Sequence, residues 1–498
     1  MLEQFSTCNG YIGARRKRPG SCLADAGELH GTMSDFTLTM PRSFSLWQWP
    51  RKWWEWDYIA DCAEQLDILS QTTTALGLGA GNEPLIFYFA NKCKRVIASD
   101  LYSDETAWKE ARFEKADRIL SSSPIPFNRN SVEVVNADMR ATGLEAASID
   151  FVWSCSSIEH VPTLLDLFDV FDEIDRVLRL GGYAILTTEY SLTESTYLLP
   201  GVNAWNSDIF HMMINSFPGF KLIGATDFRY NWLHPANGSR PRRYPACRTM
   251  PEQLGNITHY TRSGTMINPV GLSLAVPVGF VIQKISQDGV LPWREAKIPD
   301  RIKIFSEGIN EFLTGNNEPA RDLLETIVAQ EFDDDQLRHH AFRYAIDARA
   351  RLGEMSNKQE FADRISTFVT STPIGAVQDP DSLDICGYLV GECGRKTEAI
   401  SIYERCLLTP SISRDHLFEI AIKYLALAEN KNEKQHAIET VSSIFFDLMN
   451  FGMIGGELQS SFIQPSLKKL PPEIVEGVVS AVRARLRKTV LDMSPIIG

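Results

Sequence analysis

The sequence predicts a doubly wound α/β domain built on a largely parallel sheet, followed by a domain of helices alone. Three observations carry this. The stretch Thr74–Tyr102 reads strand, glycine turn, helix, strand, acid, the plan of a nucleotide half-site in a doubly wound sheet. Apolar β-rich runs then alternate with helical spacing as far as Thr188, and from about residue 300 only helical spacing remains.

The first strand is the apolar run Ala75, Leu76 and Leu78, which leads into Gly77, Gly79 and Gly81. Glycine lets backbone pass close to a ligand and adopts φ > 0 at little cost. Helical spacing follows through Pro84, Leu85, Phe87, Phe89 and Ala90, and a second β-rich run, Arg95 to Ser99, ends on Asp100. An acid there is placed to accept hydrogen bonds from a ribose diol. A dinucleotide turn, G-x-G-x-x-G, needs glycine or alanine at position 82, where this chain has Asn82. The observed spacing is G-x-G-x-G, which disfavours a nicotinamide-dependent oxidoreductase.

Val132 to Val135 gives a third strand that ends in Asn136-Ala137-Asp138-Met139, and Ile149 to Cys155 a fourth, followed by Ser156-Ser157-Ile158-Glu159-His160-Val161. Residues 162–179 carry apolar side chains at helical spacing, with Pro162 in the first turn. Gly181-Gly182 stop that helix, and Tyr183 to Thr188 forms a fifth strand.

The glycine turn, the acid 19 residues after Gly81, and the segments DFVWSCSSIEHV and DEIDRVLRLGGYAILTTE resemble the class I S-adenosylmethionine-dependent methyltransferases, type 11 in particular. The resemblance implies a Rossmann-like, seven-stranded methyltransferase sheet over residues 41–290, with S-adenosylmethionine as cofactor. It implies cofactor contacts at Gly77, Gly79 and Gly81, ribose contacts at Asp100 and Leu101, an adenine seat at Asp138 and Met139, and a further contact at Ser154. The family usually has an acid two residues before the first glycine, and this chain has Ala75 there. Glu83, just past the turn, is the candidate to compensate. Phe220 to Phe228 is the expected sixth strand and Pro277 to Ile285 the antiparallel seventh. Between them an insertion over about 231–276 holds Arg240, Arg242 and Arg243, residues suited to an anionic acceptor.

A chain of 498 residues needs more than one core. Its net charge of −13 argues against general nucleic-acid or anionic-membrane binding. Nine cysteines without a C-x-x-C pair read as reduced thiols, giving neither a disulfide frame nor a metal site. No apolar run is long enough to span a bilayer, so a cytoplasmic protein is expected. Residues 1–40, with the basic cluster Arg15 to Arg18, are expected to form a loose tail. Five tryptophans, Trp47 to Trp56, precede a helix that runs to about Leu69. Most are expected to pack against the sheet, with one or two walling the substrate pocket.

In residues 300–498, Ala320, Ala362, Ala399 and Ala437 recur at intervals of 42, 37 and 38. LDICGYLVGECGRKTEAISIYERCLLTP resembles one tetratricopeptide repeat, through Gly387, Gly394, Ala399, Tyr403 and Pro410. The implied architecture is a degenerate helix-pair array that binds a protein partner or another copy.

The segment after the fourth strand has no N-P-P-Y-type motif, which gathers flat nitrogen acceptors in amino-methylating relatives. Cys-Ser-Ser-Ile-Glu-His stands there instead and leans toward O-methylation of a small molecule or a saccharide. His160 is the residue there of a type that titrates near neutrality, and it is the candidate base, with Glu189 after the fifth strand as second candidate. The alternative reading is a non-catalytic methyltransferase-like scaffold whose helices bind a partner, which Ala75 favours.

Overall fold

The computed structural model describes residues 20–24, 34–41, 50–102, 116–192, 197–199, 201–230, 268–270, 273–330, 335–371, 380–407, 414–428 and scattered positions between 432 and 480. Two compact units divide between Asn310 and Glu311. Among the described residues no helix is long and apolar enough to cross a membrane.

The strands of the first unit are β1 (Ser21–Leu23), β2 (Thr74–Leu78), β3 (Arg95–Asp100), β4 (Val132–Asn136), β5 (Ile149–Cys155), β6 (Leu178–Ser191), β7 (Tyr197–Leu199), β8 (Val202–Ala204), β9 (Phe220–Leu222), β10 (Thr226–Asp227), β11 (Asn268–Val270) and β12 (Ser273–Lys284). Its helices are α1 (Asp35–Thr39), α2 (Pro50–Gln65), α3 (Leu85–Ala90), α4 (Ala116–Ser121), α5 (Leu164–Val177) and α6 (Ser207–Asn215). Strands β4, β3, β2, β5 and β6 lie side by side in parallel. β12 continues the sheet antiparallel to β6, and β9 pairs antiparallel with β12. These seven are the expected set. The whole sheet has ten strands, because β1, β10 and β11 are added at the β12 side.

β2 is apolar throughout because both its faces are covered: Ala75, Leu76 and Leu78 are wholly buried. α3 buries all six of its residues, with Phe89 edge-on to Phe151 of β5 at 5.3 Å. α5 begins on a reciprocal cap. Thr163 accepts from the Asp166 N–H, and the Asp166 carboxylate accepts from Thr163. Pro162 therefore stands outside the helix, before its cap. The helix ends at Val177, two residues earlier than expected, because Leu178 already pairs with Ile149. Gly181, at φ 84°, lies within β6.

Two expectations need correction. Residues 1–40 are not a loose tail throughout. β1 pairs with β10 and β12, Leu23 is fully buried, and Phe36 of α1 sits edge-on to Tyr88 at 5.2 Å. Short apolar segments were masked in the sequence by the neighbouring basic cluster, which falls outside the described residues. The first unit also extends past residue 290. Gly219 N–H donates to the Gly289 carbonyl, Leu291 N–H to the Ser216 carbonyl, and Trp293 packs edge-on against Phe168 at 5.0 Å.

The second unit contains α7 from Glu311 onward (the helix spans Asp300–Leu313), α8 (Asn317–Val328), α9 (Asp335–Arg351), α10 (Lys358–Ser371), α11 (Pro380–Glu392), α12 (Lys396–Leu407) and α13 (Arg414–Leu427). Ala320, Ala362, Ala399 and Ala437 are all fully buried, so the recurring alanines mark close helix approaches. In the repeat-like segment Gly387 of α11 receives the Tyr403 ring of α12, 2.7 Å from where a Cβ would stand. Arg349 ties α9 to Glu325 of α8 at 2.6 Å.

Candidate functional site

The parallel strands end on one edge, and their order reverses at β2, which has β3 on one side and β5 on the other. A doubly wound sheet takes its ligand outside the carboxyl ends at such a point. Here Gly79 and Gly81 adopt φ values of 63° and 48°. A Cβ on Gly79 would stand 2.5 Å from Ser157 Cβ and 3.1 Å from Met139 Cε. The tips of β2, β4 and β5 thus converge on one glycine. Gly77 has a different reason: a Cβ there would run into the Trp153 indole, so packing and not ligand approach requires it.

Asp100 is half-buried at the tip of β3 and accepts the Gly81 N–H at 2.8 Å and the Leu101 N–H at 2.7 Å. Leu101 beside it is 57% exposed. Tyr102 donates to the Gly81 carbonyl at 2.7 Å, and Ser157 to the Gly79 carbonyl at 2.9 Å. Ser154 is fully buried and donates to the Leu78 carbonyl at 2.8 Å. It braces the turn from behind, which corrects its expected place as a contact.

Asp138 is engaged by Arg140, which donates its backbone N–H at 2.9 Å and its Nη2 at 2.7 Å. The guanidinium hydrogen bonds hold the Asp138 carboxyl below its ordinary range. Arg140 also pairs with Asp166, the acid of the α5 cap, at 2.5 Å. A local chain of charge therefore links the β4 tip to the start of α5.

Glu83 lies two residues past Gly81. Trp153 Nε1 donates to its Oε1 at 2.6 Å and Trp56 Nε1 to its Oε2 at 3.2 Å. Burial pushes the Glu83 carboxyl up to about 7, against the Trp153 hydrogen bond and the Lys52 charge, which pull it down. Two of the expected tryptophan roles separate here. Trp53 and Trp54 are core, whereas Trp56 reaches the turn; Trp47 and Trp49 lie outside the described residues.

Beyond Glu83 a buried polar seam runs beneath the first turns of α2. Lys52 Nζ lies 2.8 Å from Glu55 Oε2 and donates to the Cys155 carbonyl at 3.2 Å. The Cys155 thiol donates to Glu55 at 3.3 Å, and burial keeps that thiol protonated. Burial opposes the charge on Glu55, but Lys52 and Arg51 outweigh it and lower its pKa. Arg51 pairs with Glu189 of β6. Ser156 adopts φ 47°, and Glu189 keeps one buried oxygen without a hydrogen-bond partner among the described residues. Such atoms point to water or ligand.

His160 is half-buried, and its Nδ1 lies 2.8 Å from the Gly201 carbonyl. A carbonyl only accepts, so Nδ1 carries the proton in the neutral ring and Nε2 the lone pair. Asn203 of β8 donates to the carbonyls of Glu159 and Val161 at 3.0 and 2.8 Å and fixes this segment. Arg240, Arg242 and Arg243 lie outside the described residues.

Sequence reasoning singled out neither Arg51, Lys52 and Glu55 nor Ser157, Trp153 and Arg140. The i,i+3 and i,i+4 charge spacing of the first three on a helix was a usable signal, as was the adjacency of Asp138 and Arg140. Trp153 had none, since a strand tryptophan reads as core.

A family model described as a methyltransferase domain matches residues 76–186. A search of curated proteins finds no match. Among solved structures, a putative sarcosine dimethylglycine methyltransferase from Galdieria sulphuraria is similar at 14% identity, over 46% of this chain and 84% of that one, with a TM-score of 0.30. A putative methyltransferase from Bacillus halodurans is similar at 18% identity, over 46% and 99%, with a TM-score of 0.29. A putative S-adenosylmethionine dependent methyltransferase from Listeria monocytogenes is similar at 14% identity, over 46% and 96%, with a TM-score of 0.28. Glycine turn, strand order and family model agree that residues 76–186 match a methyltransferase domain.

Proposed function

We propose that this protein methylates a hydroxyl of a small molecule or saccharide. The turn supports the cofactor reading, because Gly79 and Gly81 hold the left-handed backbone that glycine favours at the point where the strand order reverses. Asp100 stands at the tip of β3 and accepts one main-chain N–H on each oxygen, which orients its carboxylate at the place where a ribose diol would lie. In this reading Gly79 and Gly81 carry the backbone along the cofactor while Gly77 makes room for Trp153, Asp100 and Leu101 take the ribose, Asp138 and Met139 the adenine, and Glu83 the methionine end. The bound cofactor supplies an electrophilic sulfonium methyl group. The chain's task is to aim an acceptor lone pair at it and to remove the acceptor's proton.

His160 takes that proton at Nε2. The observation that carries this assignment is the Nδ1 contact with Gly201, which selects the tautomer a base needs. Glu189 is the poorer base because its Arg51 partner stabilises the carboxylate; its role is to hold α2. Partner binding or self-association is assigned to the helical array, and selection of an anionic acceptor by Arg240, Arg242 and Arg243 rests on the sequence alone.

Calorimetric titration with S-adenosylmethionine, followed by a labelled-methyl screen over nucleotide sugars and cell extracts, tests the reading. His160→Gln is expected to lower kcat about 100-fold or more and to leave cofactor affinity unchanged. Unchanged kcat removes His160 from the base role, and label found on nitrogen overturns the hydroxyl acceptor.

A further inference from the structure

S-adenosylmethionine brings positive charge to its site, at the sulfonium and at the amino group of its methionine end. The acid that the resembling family places before the first glycine is Ala75 here, wholly buried inside β2. Glu83 is differently placed. It stands on the far side of the turn, half-buried, with a carboxylate gripped from α2 by Trp56 and from β5 by Trp153. Indole N–H groups orient a carboxylate without neutralising it, since they carry no charge. A carboxylate has about four acceptor positions; the indoles use two, and the Cys155 thiol also hydrogen-bonds to it.

We infer that Glu83 replaces the missing acid and is the anion against which the cationic methionine end binds. The inference rests on the S-adenosylmethionine reading above. The charged and titratable groups that face Glu83 are Lys52 from α2, Cys155 from β5 and Tyr102 beyond the β3 tip. Lys52 is the cation among them, and Glu55 holds it at 2.8 Å. Cys155 and Tyr102 are pushed up by burial and stay neutral.

A coupling to protons follows. With a carboxyl near 7, about half of the molecules carry a proton on Glu83 at neutral pH, and a cation bound beside it displaces that proton. Binding therefore releases protons, more at pH 6 than at pH 8, and affinity falls as the pH is lowered through the Glu83 titration.

Calorimetry of the full chain with S-adenosylmethionine, in two buffers of different ionisation enthalpy, counts the protons directly. Release that falls from pH 6 to pH 8 is the expected result. Glu83→Gln keeps an oxygen for one indole and abolishes the charge; it is expected to weaken binding at least tenfold and to flatten the pH dependence. Trp56→Phe removes one donor and is expected to shift the midpoint upward. Tight binding by the unaltered chain with no proton exchange between pH 6 and 8 overturns the inference while the methyltransferase reading stands. No binding at any pH overturns that reading first, and this one with it.

Discussion

At the tip of β2 the polar work is done by main chain. Gly81 offers its N–H to Asp100, Gly79 and Gly81 offer carbonyls to Ser157 and Tyr102, and each link is within 2.9 Å. One strand away, beneath α2, side-chain charges do it: Arg51 on Glu189, Lys52 on Glu55, and a thiol between them. The first arrangement draws its partners from 19 to 78 residues away and needs no ion pair. The second joins segments 100 to 103 residues apart and depends on every charge keeping its partner. The lesson is that a binding turn and its neighbouring pocket wall fail in different ways.

The largest effect is expected at the charged seam. Arg51→Met leaves Glu189 buried without its partner and should cost about 3–5 kcal/mol of stability, since an uncompensated buried charge is what such a change creates. Urea unfolding measures it, and a loss under about 1 kcal/mol would show that the seam is wet and the contrast false. Gly79→Ala strains the turn at φ 63° and drives Cβ toward Ser157; about 2–4 kcal/mol is expected. The companion variant Ser157→Gly should recover the steric part and leave the backbone part.

A smaller effect belongs to the ligand. Asp100→Ala is expected to weaken S-adenosylmethionine binding by about 1.5–3 kcal/mol, read by calorimetry; undiminished affinity would remove Asp100 from the ribose. The smallest is Arg140→Gln. The Asp138 carboxyl is depressed, chiefly by the Arg140 hydrogen bonds. Its contribution is therefore present above the ordinary carboxylate range near pH 4 and is lost as pH falls through the lowered value. The variant should be destabilised by no more than about 1 kcal/mol at pH 7 and match the unaltered chain near pH 2. An equal deficit at both pH values would mean that Arg140 acts through packing.

The same contrast decides what was readable beforehand. The glycine turn, its acids and the parallel strands were legible because each is encoded within a few neighbouring residues: spacing, β-branching, a cap. Ser154 was misplaced because a hydroxyl's direction depends on strand pairing. Arg51 and Glu189 were unreadable as a pair, since only the sheet brings α2 against β6. The end of the first unit was set too early because Gly289 and Trp293 find their partners, Gly219 and Phe168, only in three dimensions.

β1 has a consequence for how the chain is made. Ser21 and Cys22 align with Thr226 and Asp227, and Cys22 also with Gly279, partners that leave the ribosome over 200 residues later. At about 5–20 residues per second, that strand waits on the order of ten seconds or more with its edge groups unsatisfied. The first strand among the described residues is thus among the last to pair, and a chaperone that shields Cys22 and Leu23 during that interval should raise the yield of native protein more than one acting after release.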